Sequence, residues 1–213
     1  MKLNSILSFI RNYPTFRIKP SLDKSLIIEG KYQNILFEQE HGEILVDYEL
    51  AIHIPENFPL VLPTVFEISN KIEKVSDNHI NYDGSLCLGA PFRIKEFLNK
   101  YKTLTPFFEE CVLPYLYAVT LKIKTGQPFV FGELAHGSIG LIEDLKELFQ
   151  LPDPKQISHM LKILSGGKKE GNRSICPCGC NKRLSTCRYF KTVQRMRKFL
   201  SRHEWEEQYN LIK

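Results

Sequence analysis

Apolar and polar positions alternate most cleanly in residues 43–54, EILVDYELAIHI, where Ile44, Val46, Tyr48, Leu50, Ile52 and Ile54 share one face. A period of two over this length predicts a half-buried strand. Residues 26–37, LIIEGKYQNILF, carry the same β-branched and aromatic bias, and Gln39 to Gly42 between the two runs predicts a hairpin loop. Pro55, Pro59 and Pro63 follow in PENFPLVLP. Proline cannot donate to a strand ladder, so this stretch predicts an extended connection. TVFEIS, 64–69, predicts the next strand. Ahead of the strands, Leu3, Ile6, Leu7 and Ile10 fit one face of a short helix.

The alternation stops at Asn70 and does not return before Arg93. A long ordered loop in a small domain is often functional, and Asp83-Gly84 within it is a turn signal. Helical patterns come next. EFLNKY is short, and 105–124 opens on Thr105 as N-cap with Pro106 at the first helical position. Pro114 predicts a kink or a division of that helix. Residues 138–150 and 154–164 predict two amphipathic helices, SGGKKEGNRS (165–174) a flexible linker, and the last stretch one or two basic helices. A helix, a meander of strands, a long loop and then helices make the fold class α+β.

Charge divides the chain. From Lys155 onward there are 14 Lys and Arg against 4 Glu, whereas the remainder holds 15 basic and 20 acidic residues. A mildly acidic body followed by a strongly basic tail predicts two functional units. The expected boundaries are 1–164 for the main domain, 165–173 for the linker and 174–213 for a small basic module. No apolar run is long enough to span a membrane, and the N-terminal stretch lacks the apolar core and cleavage site of a secretory signal, so the expected location is cytoplasmic. Thiols stay reduced there. Of the six cysteines, Cys176, Cys178, Cys180 and Cys187 crowd into twelve residues, and such clustering points to a metal rather than to disulfides.

Two segments carry a resemblance. IPENFPLVLPTVFEIS, with Phe58-Pro59, then Pro63 and a strand, and HINYDGSLCLG, with His79-Ile80-Asn81, Gly84, Cys87 and Leu88, together resemble the strand connection and active-site loop of ubiquitin-conjugating enzymes. In that family a His-Pro-Asn triplet precedes the nucleophilic cysteine. Here Ile80 stands in place of the proline, and the gap from Asn81 to Cys87 is short, so the chain is more similar to divergent bacterial members, some encoded in conjugation or antiphage operons. The resemblance implies a ubiquitin-conjugating-like fold over roughly residues 5–150, with Cys87 carrying a ubiquitin-like modifier protein as a thioester. It implies as partners an activating enzyme and a target protein with an acceptor lysine. Asn81 is then the candidate stabiliser of the tetrahedral oxyanion. His79 would order the loop or act on the proton, and Asp83 would orient the attacking lysine. Cys111 is expected in the core, His53 inert, and His136 a cap or a neighbour of the loop. A non-catalytic adaptor with the same fold is the rival reading.

The cysteine cluster reads C-x-C-x-C-x(6)-C, and four thiolates at this spacing suit a tetrahedral Zn²⁺. Cys-Pro-Cys-Gly at 176–179 resembles the start of the SEC-C zinc motif. That motif ends in Cys-Cys or Cys-His, whereas Arg188 follows Cys187 here, which leaves Cys180 or the remote His203 as the fourth ligand. With all positions filled by protein the zinc would be structural. Lys191, Arg195, Arg197, Lys198 and Arg202 beyond it make nucleic acid or an acidic protein a candidate partner of the tail. No phosphate-cradling G-x-x-x-x-G-K-[ST] loop occurs, so ATP is not an expected ligand.

Overall fold

A computed structural model describes residues 2–21, 25–38, 40–130 and 138–213. The chain forms two compact units, which divide between residues 133 and 134. In the first, helix α1 (Lys2–Asn12) precedes strands β1 (Arg17–Lys19), β2 (Leu26–Glu38), β3 (Gly42–Ile54) and β4 (Thr64–Glu67). They form one antiparallel sheet in the order β1-β2-β3-β4. β2 and β3 pair along their whole length, from Leu26 opposite Ile54 to Glu38 opposite Gly42. The six alternating residues expected on one face of β3 are all buried, because a period of two puts every second side chain on the same side of the sheet.

Helix α2 (Pro91–Tyr101) starts on a proline at its first turn and is longer than EFLNKY predicts. The helix expected to be capped by Thr105 starts two residues earlier as α3 (Leu104–Phe107), with Thr103 and not Thr105 at the N-cap position, because Ser5 Oγ accepts the Leu104 N–H at 2.8 Å. The chain then passes through a π-helical turn, Phe108–Val112, into α4 (Leu113–Thr125). Pro114 thus divides the helix as expected: the wider turn ahead of it absorbs the carbonyl that proline cannot bond.

That turn places Phe108 at the centre of the core. Its ring lies 5.2 Å from Phe9, 4.8 Å from Tyr13, 5.6 Å from Phe16 and 5.7 Å from Tyr32, all in edge-to-face arrangements. Phe9 therefore decides which face of α1 is inside. Ser5, Ile6 and Phe9 are buried, whereas Leu3 and Leu7, expected inside, are 57% and 43% exposed. Phe16 reaches the cluster by passing directly over Gly30 of β2, where an added Cβ would sit 2.5 Å from Phe16 Cα. A strand glycine here marks a close backbone approach. Gly30→Ala is expected to cost about 1–3 kcal/mol or more, read as a shift in the urea midpoint without a change in slope.

The second unit is helical: α5 (Ser138–Phe149), α6 (Pro154–Ser165), α7 (Lys168–Arg173), α8 (Phe190–Phe199) and α9 (Arg202–Leu211). Asp153 caps α6 in a reciprocal capping box with Gln156, and Ser201 does the same for α9 with Glu204. The core gathers Leu145 and Phe149 of α5, Ile157, Met160, Leu161 and Leu164 of α6, Val193 and Met196 of α8, and Trp205 of α9. Trp205 is fully buried, lies 5.6 Å from Phe149 and donates its indole N–H to Met196 O at 3.1 Å.

Two expectations are corrected here. The units divide between 133 and 134 and not at 164: α6 packs against α5, α8 and α9, and Phe149 of α5 lies against Trp205, so these helices belong with the cysteine module. The flexible linker at 165–173 is also wrong. Lys168–Arg173 is helical, and Gly171 packs so tightly that an added Cβ would meet Arg197 Nη2 at 3.0 Å and Ile163 Cγ2 at 3.1 Å. His136 and Gln39 lie outside the described residues. Among the described residues no helix is long and apolar enough to cross a membrane.

Candidate functional site

The stretch between β4 and α2 is irregular but tightly held. After a short 3-10 turn, Ser76–Asn78, the chain passes through His79 in a left-handed conformation (φ 53°) and forms a small hairpin with Ile80 opposite Leu86. Asn81 N–H donates to Ser85 O at 2.8 Å, and Gly84 N–H to Asn81 O at 2.9 Å. Gly84 takes φ 84°, a value that a side chain at this turn would strain. Asp83 accepts both the Ser85 N–H at 3.0 Å and the Ser85 hydroxyl at 2.6 Å. These donors hold the Asp83 carboxyl below its usual range, so it is ionised at neutral pH.

The hairpin is tied down on several sides. Leu86 N–H donates to Val65 O of β4 at 2.8 Å, and Ser85 bridges Phe66. From α4, the Tyr115 hydroxyl donates to Asn78 O at 2.7 Å, and burial raises its pKa, with the nearby charges of Tyr48 and Cys87 adding to the shift. Cys87 N–H donates to His79 O at 2.7 Å, which fixes the cysteine beside the histidine backbone. Leu86 is buried and anchors the strand, and Cys87 beside it is half-buried.

The two candidate helpers are placed differently. His79 is buried, its ring against Phe129 at 4.3 Å between centroids, and its carbonyl is what touches Cys87. Asn81 Nδ2 donates to Ser85 Oγ at 3.0 Å, so one N–H of the amide serves the hairpin. Sequence reasoning missed Tyr115 and Ser85. Nothing in the spacing of Tyr115 marks it, whereas Ser85 two residues after Asp83 fits the hydrogen-bonded turns that aspartate favours. Tyr115→Phe leaves the Asn78 carbonyl without its buried donor and is expected to cost about 1–3 kcal/mol. Peptide-resolved labelling of Cys87 should also become faster as the loop loosens.

Cys111, expected in the core, is half-buried against it, and burial pushes its thiol up to about 11, which suits a packing residue. His53 stacks on Phe66 at 4.9 Å, within the sheet.

In the second unit the four clustered cysteines converge. Their Sγ atoms all lie within 4.8 Å of one another, and Cys176–Cys178, Cys180–Cys187 and Cys178–Cys187 are 3.2, 3.5 and 3.7 Å apart, too far for a disulfide. A tetrahedron with Zn–S bonds of about 2.3 Å has edges of about 3.8 Å, so the donor set fits Zn²⁺. The local chain explains the convergence. Ile175 pairs with Arg183, Cys176 N–H donates to Lys182 O at 2.8 Å, and Gly179 (φ 82°) and Asn181 (φ 57°) turn the segment back on itself. Cys187 enters from the start of α8, its Sγ accepting the Tyr189 N–H at 3.4 Å. Burial raises the Cys176 thiol, while the Lys182 N–H and the neighbouring thiols lower exposed Cys180 to about 7. His203 is occupied elsewhere, 3.5 Å from Glu207 on α9.

No family model, no curated protein and no solved structure matches the chain.

Proposed function

We propose that the first unit is a conjugating enzyme of the ubiquitin type and that the second is a zinc-stabilised module that recruits its partner or target. The observation that carries this reading is the Cys87 loop: a half-buried cysteine on a hairpin held by β4 from one side and by Tyr115 of α4 from the other. The element order of the first unit, one helix, a four-stranded meander, the loop and then helices, also agrees with the resemblance.

In this reading the Cys87 thiolate attacks the carbonyl carbon at the modifier's C-terminus, and the activating enzyme's thiolate departs. The nitrogen of a target lysine then attacks the same carbon, the Cys87 thiolate leaves, and the amine gives up a proton. Asn81 would meet the oxyanion with its second amide N–H. Asp83, ionised and at the loop surface, would attract the incoming ammonium. The role of His79 is to position Cys87 through its carbonyl.

The test is intact-mass spectrometry of the protein purified together with its genomic neighbours, with and without reductant. A reductant-sensitive adduct of small-protein mass, mapped to Cys87, is the expected result. Absence of any adduct in the presence of a competent activating enzyme would favour a non-catalytic adaptor.

A further inference from the structure

Between Gly171 and His203 the chain carries nine lysines and arginines and not one aspartate or glutamate. All but Arg197 are exposed. A zinc centre with four thiolates bears a net double negative charge, which two of these cations offset, so most of the excess has another purpose or none. Its arrangement is ordered. At 3.6 residues per turn, Lys191, Arg195 and Lys198 fall within about 60° of arc on α8, opposite Val193 and Met196, which are buried. Of the three acids of the following helix, Glu204 is used in its own capping box and Glu207 faces His203, which leaves Glu206 against the exposed cations of the stripe.

A cleft of about 910 Å³ lies between the cysteine knuckle and the start of α6, lined by Cys178, Cys180 and Cys187 and, around them, by Gln156, Lys182, Thr186, Arg188 and Thr192. Two cations, two hydroxyls and an amide are the groups that commonly contact phosphate and sugar.

We propose that the exposed face of α8 and this cleft bind the phosphate backbone of nucleic acid without sequence preference. A nucleic acid is favoured over an acidic protein because residues 172–202 carry nine cations and no acid. Such a stretch suits a continuous polyanion with about one charge per 1.7 Å of duplex axis, whereas protein surfaces intersperse their carboxylates. The proposal is independent of Cys87 chemistry, and it adds a scaffold on which conjugation would be concentrated.

The test uses the full zinc-loaded chain and fluorescent 20-nucleotide duplex DNA, duplex RNA and single strands, titrated by anisotropy between 50 and 200 mM salt. About four to six contacts predict a slope of log K against log salt near −4 to −5. Replacing Lys191, Arg195 and Lys198 together by Gln is expected to reduce the slope by about 3 and weaken binding at least tenfold, while Lys74→Gln in the first unit changes neither. These three side chains are exposed, so zinc content and melting should be unaltered, which separates lost binding from lost folding. The proposal is overturned if no nucleic acid binds at 50 mM salt, if the triple variant binds like the parent, if Lys74→Gln weakens binding equally, or if a polyglutamate peptide of equal charge competes as well as the duplex.

Discussion

Cys87→Ala is expected to abolish the modifier adduct, a loss on the order of 10³-fold or more in conjugation rate, with the protein still folded. The reason it should fold lies in how the loop is built. Buried Leu86 supplies the packing, the Cys87 backbone N–H makes the bond to His79, and Cys87 itself is only half-buried. Removing one sulfur from such a site should change stability by about 1 kcal/mol at most. Cys87→Ser separates nucleophile from geometry: an oxygen ester is formed more slowly and resists the amine, so the adduct should build up, survive reductant and fail to reach the target. Both variants are read by intact mass and thermal melting in parallel. Conjugation that persists unchanged in Cys87→Ala would remove Cys87 from the chemistry altogether, and an unfolded Cys87→Ala would show that the thiol is part of the core.

The strands were legible because period two survives in the residues themselves: Ile44 to Ile54 lie inside as the alternation requires. The inner face of α1 was not, since Leu3, Ile6, Leu7 and Ile10 satisfy helical spacing as well as Ile6 and Phe9 do, and only the position of Phe108 decides between them. The domain boundary failed for a related reason. SGGKKEGNRS has the composition of a linker, but Gly171 is required by contact with Ile163 and Arg197, partners distant in sequence. At the candidate sites, clustered cysteines in a short segment could be read directly because the ligands are local. The brace from Tyr115 to Asn78 spans 37 positions, and no local pattern announces it.

On the proposed reading, a zinc ion held by these four local ligands would be the largest single contribution to the second unit. The chain should copurify with one zinc per molecule, and Cys176→Ser should release it and lower the melting temperature of residues 134–213 by about 10 °C or more. A loss of only 2 kcal/mol would suffice for that in a unit of this size, and structural zinc sites contribute considerably more. Cys176 is the decisive position because it is the buried member of the four: a metal-free cluster there leaves thiols packed against one another with nothing to satisfy them, and Cys187 loses its tie to the knuckle at the head of α8. Exposed Cys180 should behave differently. In Cys180→Ser the remaining three sulfurs can still hold zinc with water as the fourth ligand, so the metal should stay at stoichiometric level but be removed by a chelator much faster. Plasma mass spectrometry and calorimetry read both effects. Full zinc content in Cys176→Ser, or an unchanged second transition after the metal is stripped from the parent protein, would mean that the four sulfurs converge for packing and that Trp205 and the faces of α5 and α6 hold the unit unaided.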